Sequence, residues 1–271
     1  MSQIVELVRD QMIENVDEKT KESGKRFFKE EINTYGVKSA IVGQISKQVF
    51  NLIKDHSKDE IFDLCEELWK SGMMEESFIA CNWSYAVHKQ FVETDFSTFE
   101  RWVKNYVNNW ASCDTLCNHT IGTFLERYPK FVENLKEWTH SLNRWVKRAS
   151  AVSFIIPARK GLFKNDLFEI ADSLLLDSDD MVQKGYGWML KSLAESYEDE
   201  VFQYVLSKRA VMPRTALRYA IEKMPEAKRQ EAMKRVKKMN IEIKPLTPEL
   251  YPDYLDFFDH RAFPDDNPMM F

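Results

Sequence analysis

Four side chains have the types and spacing to act on a charged partner. They are Trp110 and Asp114 within Asn109-Trp110-Ala111-Ser112-Cys113-Asp114, Arg148 within Trp145-Val146-Lys147-Arg148-Ala149, and Trp188 within Gln183-Lys184-Gly185-Tyr186-Gly187-Trp188. A carboxylate stabilises positive charge, and an indole face attracts a cation by about 0.5–2 kcal/mol per ring. A guanidinium grips phosphate or carboxylate in a fork. Each residue also has a plainer reading. Trp110 extends the apolar stripe Phe99, Val103, Tyr106 and so reads as core. Asp114 reads as the N-cap of a helix running toward Tyr128, pointing away from the apolar face Cys113, Cys117, Ile121, Phe124. Arg148, off the stripe of Trp138, Leu142 and Trp145, reads as a solvated helix residue. Trp188 is harder to place in a core. It lies off the stripe Val182, Tyr186, Met189, Leu193, on a face with Gly185 and Ser192, where small residues admit something large.

Metal and cofactor chemistry find no support in the motifs. Cys113, Cys117 and His119 make a C-x3-C-x-H set without a second cluster, which matches no zinc spacing, and Thr120 stands where an iron–sulfur pattern needs cysteine. No G-x-S-x-G, Walker or dinucleotide glycine pattern occurs. The expectation is a protein with no metal and no cofactor.

The elements that must hold these residues are helices. With eight glycines and nine prolines in 271 residues, turn-dense β folds start at a disadvantage. Apolar residues recur at helical spacing up to about residue 236. Phe131, Leu135, Trp138, Leu142 and Trp145 step by 4, 3, 4 and 3 and predict one helix. Breaks near 22–24, 33–36, 55–59, 71–74, 93–97, 128–129, 157–165, 176–180, 197–200 and 211–213 leave roughly a dozen helices of 10–18 residues. Their pairing at about 40 residues predicts an all-α solenoid of about six HEAT-like helix pairs, with an irregular helical bundle as the alternative. After residue 240 the pattern changes: Ile241–Leu246 alternates as a short strand would, and Pro248–Phe258 reads as a helix start. The expected division is therefore a helical domain over 1–240 and a tail over 241–271.

Charge follows the same division. The tail holds seven acids and two bases, which accounts for the whole net charge of −5, while residues 204–240 hold eleven bases and three acids. A basic stretch of this kind suits a polyanion. No apolar run approaches the ~20 residues of a membrane span. The N-terminus has neither a secretory nor a transit pattern, so a cytoplasmic monomer with reduced cysteines and no membrane association is expected.

Taken in order, the Asn-Trp-x-x-x-Asp element, the arginine after Trp-x-x, the Gln-Lys-x-x-Gly-Trp element and the turn Tyr35-Gly36-Val37-Lys38 resemble the DNA alkylation repair enzyme family of AlkD-like HEAT-repeat glycosylases, over about residues 1–237. The resemblance implies a concave solenoid holding duplex DNA and hydrolysis of the N-glycosidic bond of N3- or N7-alkylated purines, without a base-specific pocket. It implies catalytic roles for Asp114, Trp110 and Trp188: the carboxylate beside C1′ stabilising an oxocarbenium-like sugar and positioning water, the indoles packed against sugar and cationic nucleotide. Arg148 would hold a phosphate. Lys184, Lys208, Arg209, Arg214 and Arg218 are the further DNA contacts expected. The rival readings are the same fold binding damaged or branched DNA without cutting it, and a helical-repeat scaffold for proteins. The tail (Ile241–Pro248, Tyr254–Asp259, Asp266-Asn267-Pro268) resembles the first strand and helix of a GNAT-type acetyltransferase. That family's acetyl-CoA loop has no counterpart here, and no acetyltransferase activity is expected.

Overall fold

The computed structural model describes residues 2–234 and 245–260. The chain divides into two compact units, Met1–Lys234 and Arg235–Phe271. The first is all-α. Its helices are α1 (Gln3–Glu14), α2 (Glu18–Lys25), α3 (Ser39–Ile53), α4 (Lys58–Lys70), α5 (Met74–Ala86), α6 (Asp95–Asn105), α7 (Trp110–Thr115) and α8 (Gly122–Arg127). There follow α9 (Val132–Trp138), α10 (Arg144–Val152), α11 (Ile155–Arg159), α12 (Lys164–Ser173), α13 (Asp180–Leu193), α14 (Glu198–Lys208), α15 (Arg214–Ile221) and α16 (Glu226–Met233). A π turn over Leu116–Ile121 joins α7 to α8. Among the described residues there is no strand, only an isolated bridge between Asn33 and Met73.

Eleven of these helices form two rows. In one, α3, α5, α7, α10, α13 and α15 pack in succession; in the other, α1, α4, α9, α12 and α14 back α3, α5, α10, α13 and α15 respectively. Side-chain bonds between successive pairs recur at a nearly constant separation in sequence. Glu66 accepts from Arg101, Trp102 and Tyr106, which lie 35, 36 and 40 residues on. Tyr128 donates to the Phe91 carbonyl across 37 residues, and Trp138 to Glu100 across 38. This rung-to-rung bonding is the helical repeat that the sequence periodicity anticipates.

Two differences from the expected helices bear on function. The stripe Phe131–Trp145 is not one helix: α9 stops at Trp138, residues 139–143 turn, and Leu142 is fully exposed at the bend. Asn143 then opens α10, its side chain accepting from the Trp145 amide at 2.9 Å. Similarly, residues 106–109 interrupt the stripe through Trp110. The stripe over α13 holds, with Val182, Tyr186, Met189 and Leu193 all fully buried.

Near the start, Gly36 adopts φ +88°, and a Cβ there would lie 2.5 Å from Lys21 Cβ. The buried Glu75 carboxylate fixes this turn, accepting from Thr34 Oγ1 (2.6 Å) and the amides of Tyr35, Gly36 and Val37 (2.9–3.2 Å). In the second unit, α17 (Tyr251–His260) is the described element. The expected strand falls largely on residues 241–244, which lie outside the described residues.

Candidate active site

Asn109 ends the extended residues before α7 and accepts from the Ser112 amide at 2.9 Å, so it, and not Asp114, is the N-cap. Trp110 is therefore the first residue of a new helix and half-buried, not core. Asp114 follows one turn later on the same face. Asn143 and Asp179 cap α10 and α13 in the same way. As a result Asp114, Arg148 and Lys184 each stand five residues after an Asn or Asp cap, on three neighbouring helices of one row. This repeated cap is a signal present in the sequence, and it aligns the three charged groups; the stripe pattern alone does not show it.

Arg148 is 4% exposed, not solvated. Its Nε and Nη2 donate to the two oxygens of Asp114, both at 2.8 Å, and Nη1 donates to the Met181 carbonyl at 2.5 Å. The guanidinium thus ties α7, α10 and the first turn of α13 together. Its first service is to hold the carboxylate, where a phosphate contact had been expected. Burial pushes the Asp114 carboxyl above the usual carboxylate range, with the charge and hydrogen bonds of Arg148 opposing that rise. Burial works against the Arg148 charge in turn, but the Asp114 charge prevails and holds the guanidinium above its ordinary value.

Asp114 and Arg148 line a hollow of about 420 Å³ whose walls are Trp110, Trp188, Met181 and Tyr219. Lys184 and Lys191 of α13 and Phe27 of the N-terminal segment complete it. Gly185 leaves room for Arg148: a Cβ there would lie 3.3 Å from Arg148 Cγ. Gly187 allows α15 to approach, since its Cβ would lie 2.7 Å from Tyr219 Cβ and 2.8 Å from the Ala216 carbonyl oxygen. Lys184 pairs with Asp180 at 3.3 Å; Lys191 pairs with Glu222 at 2.9 Å and lies over the Tyr219 ring. A hollow of about 540 Å³ along residues 29–34, Lys21 and Met73 is larger but contains none of these groups.

Trp110, Asp114, Arg148, Lys184 and Trp188 are thus brought to one hollow. Lys208, Arg209, Arg214 and Arg218 are not. Lys208 ends α14, in the other row, and pairs with Asp172 at 2.7 Å; the adjacent Arg209 pairs with Glu231. Arg214 and Arg218 are exposed on α15, Arg214 donating to the Met233 carbonyl and Arg218 lining a separate hollow with Glu226 and Arg229 of α16. Successive residues of a helix point about 100° apart, so Tyr219 faces the site and Arg218 does not. Phe27, Lys191 and Tyr219 were not anticipated from sequence. Lys191 stands three residues after Trp188 and so on its face, a spacing that had been legible. Phe27 comes from a distant segment with no local signal.

The cysteines behind the site are packing groups. Cys113 is fully buried, its thiol donating to the Trp145 carbonyl at 3.7 Å, and burial pushes it well above the ordinary thiol range. Among the described residues no group of three or more His, Cys, Asp or Glu side chains is placed to hold a metal ion.

A family model described as DNA alkylation repair enzyme matches residues 8–224. The chain belongs to the DNA alkylation repair enzyme family. Among solved structures, it is similar to one described as a predicted DNA alkylation repair enzyme from Enterococcus faecalis. The TM-score is 0.69 at 15% identity, over 78% of this chain and 98% of that one. At that identity the likeness speaks for the fold. None of the curated proteins matches the chain. Membership in a DNA-repair family points to DNA as the partner. Among the described residues no helix is long and apolar enough to cross a membrane.

Proposed function

We propose that this family member is a DNA glycosylase that releases N3- and N7-alkylated purines from duplex DNA by hydrolysing the N-glycosidic bond. One observation carries the proposal: a largely buried carboxylate held in a two-point grip by Arg148 beside a hollow walled by two indoles. A purine alkylated at those nitrogens is already cationic and leaves readily, so the main task is to stabilise positive charge developing on the deoxyribose. Each Asp114 oxygen accepts one N–H from Arg148 and retains a lone pair, one for the sugar side and one for the attacking water. Low local polarity strengthens the attraction of that carboxylate for the sugar cation. Trp110 and Trp188 present ring faces to the cationic nucleotide.

In this mechanism Arg148 is a positioning residue acting through Asp114, with a phosphate contact left to the N–H bonds it does not spend on Asp114 and Met181. Lys184 and Lys191, at the hollow, exchange Asp180 and Glu222 for DNA phosphates. Charge stabilisation at an already activated base requires no cofactor. The working form is taken as a cytoplasmic monomer. Its repair domain ends near residue 240, and the acidic tail is dispensable for excision.

The test is incubation with duplex DNA carrying N7-methylguanine. Free base and an alkali-labile abasic site are expected, both reduced about 100-fold in Asp114→Asn. Lesion binding without release would make the protein a binding module, and the absence of binding would favour a protein scaffold.

A further inference from the structure

The segment between α2 and the turn at Gly36 has no repetitive structure over residues 26–31, yet three consecutive side chains bind it to three different helices. Phe28 stacks on Trp110 of α7, with ring centroids 5.3 Å apart and planes inclined by 21°. Glu30 pairs with Arg144 of α10 at 2.8 Å, and Lys29 with Asp180 of α13 at 2.7 Å. Trp110, Arg144 and Asp180 are each the first helical residue after the Asn or Asp cap. The segment therefore touches the same position on three successive helices, one turn before the row formed by Asp114, Arg148 and Lys184. At its far end the bridge from Asn33 to Met73 and the Glu75-held turn fasten it to α5.

We infer that Phe28 is the positioning residue of Trp110, and that Lys29 and Glu30 latch this strap across the site so that one indole face is held and the other stays free for the nucleotide. This rests on the glycosylase reading. The physical reason is local. Trp110 begins a helix of six residues just after an irregular stretch, and being half-buried it lacks the surrounding core that fixes an interior ring. An offset-stacked partner contributes about 0.5–1.5 kcal/mol beyond the area it covers. The two ion pairs are partly exposed and hold the strap in place more than they stabilise the fold.

The test uses the full chain and single-turnover excision of N7-methylguanine, which reads the bond-breaking step apart from binding. Phe28→Ala should slow that step about 3–10-fold, within the range the ring contact supplies, and Phe28→Tyr should restore it. In a Trp110→Ala background, Phe28→Ala should have no further effect. A second measurement does not depend on excision: acrylamide quenching of Trp110, taken as the difference between each protein and its Trp110→Phe counterpart, should rise in Phe28→Ala. Equal slowing with and without Trp110, or unchanged rate and quenching, would overturn the inference. Should Phe28→Ala melt lower, Phe28→Leu retains the apolar volume without the ring and is expected to behave as Phe28→Ala does in both assays. A wild-type protein that releases no base would refute the glycosylase reading, while the quenching result would still decide the role of Phe28.

Discussion

Asp114→Asn separates the two services of the carboxylate, neutralising Arg148 and stabilising a cation. The Arg148 and Asp114 side chains are 5% and 13% exposed, so the substitution strands a guanidinium charge in the interior. It also turns an amide N–H₂ toward a guanidinium N–H. Removing one partner of a buried ion pair costs about 3–5 kcal/mol, which for a domain of this size lowers the melting temperature by about 2–4 °C per kcal/mol. Excision should fall about 100-fold, equivalent to roughly 2.7 kcal/mol of lost transition-state stabilisation. To keep the two losses distinct, Asp114→Asn is combined with Arg148→Met, which removes the stranded charge while filling similar volume. The double variant should regain most of the melting temperature and none of the excision, as followed by differential scanning calorimetry and by chromatography of released N7-methylguanine at saturating enzyme. Recovery of excision together with stability would refute the reasoning, because it would mean that Asp114 matters only as the counter-ion of Arg148.

Further outcomes follow from the same geometry. Because burial raises the Asp114 pKa, its own contribution to folding stability is complete below the ordinary carboxylate value and is lost as pH rises through the folded one. On the glycosylase reading excision needs the ionised form, so a pH–rate profile should fall on acidification with a midpoint above that of an ordinary aspartate. Gly187→Ala should destabilise by about 1–3 kcal/mol in a denaturant melt, because the new methyl meets the α15 backbone at Ala216. Replacing Lys184 and Lys191 by glutamine should flatten the dependence of log K on log salt by about 0.9 for each lost phosphate contact. Reversing Lys208 and Arg209 should leave that slope unchanged, as measured by fluorescence anisotropy of labelled duplex.

Helical class and repeat were legible because the buried faces of long helices such as α13 must repeat every three to four residues. The short helices misled. Residues 139–143 keep the 4-3-4-3 rhythm through a turn, so Leu142 imitates a core position while lying in solvent. The same kind of interruption at residues 106–109 made Trp110 resemble core, although Asn109, a good N-cap, stood in the sequence to mark it. Burial of Arg148 was not readable from its helix face, since what makes it tolerable is Asp114 on a different helix. The basic stretch shows a different limit: net charge along a segment carries no information on direction, and Lys208, Arg209, Arg214 and Arg218 do not line the hollow, Lys208 being paired with Asp172 of α12 and Arg209 with Glu231 of α16.

Trp110 and Trp188 stand on α7 and α13, with α10 between them. The gap between the two indoles is therefore not fixed within any one helix but by two helix–helix contacts in series, like the jaws of a caliper mounted on a jointed rod. A tilt of a few degrees at either joint changes the jaw opening directly. The Arg148 side chain spans both joints, bonding to Asp114 on one side and to the Met181 carbonyl on the other. Arg148, together with the strap residues Phe28, Lys29 and Glu30, thus braces both joints of the gauge, and on the glycosylase reading the spread of lesion sizes accepted becomes a mechanical property of two contacts as much as a chemical property of the walls.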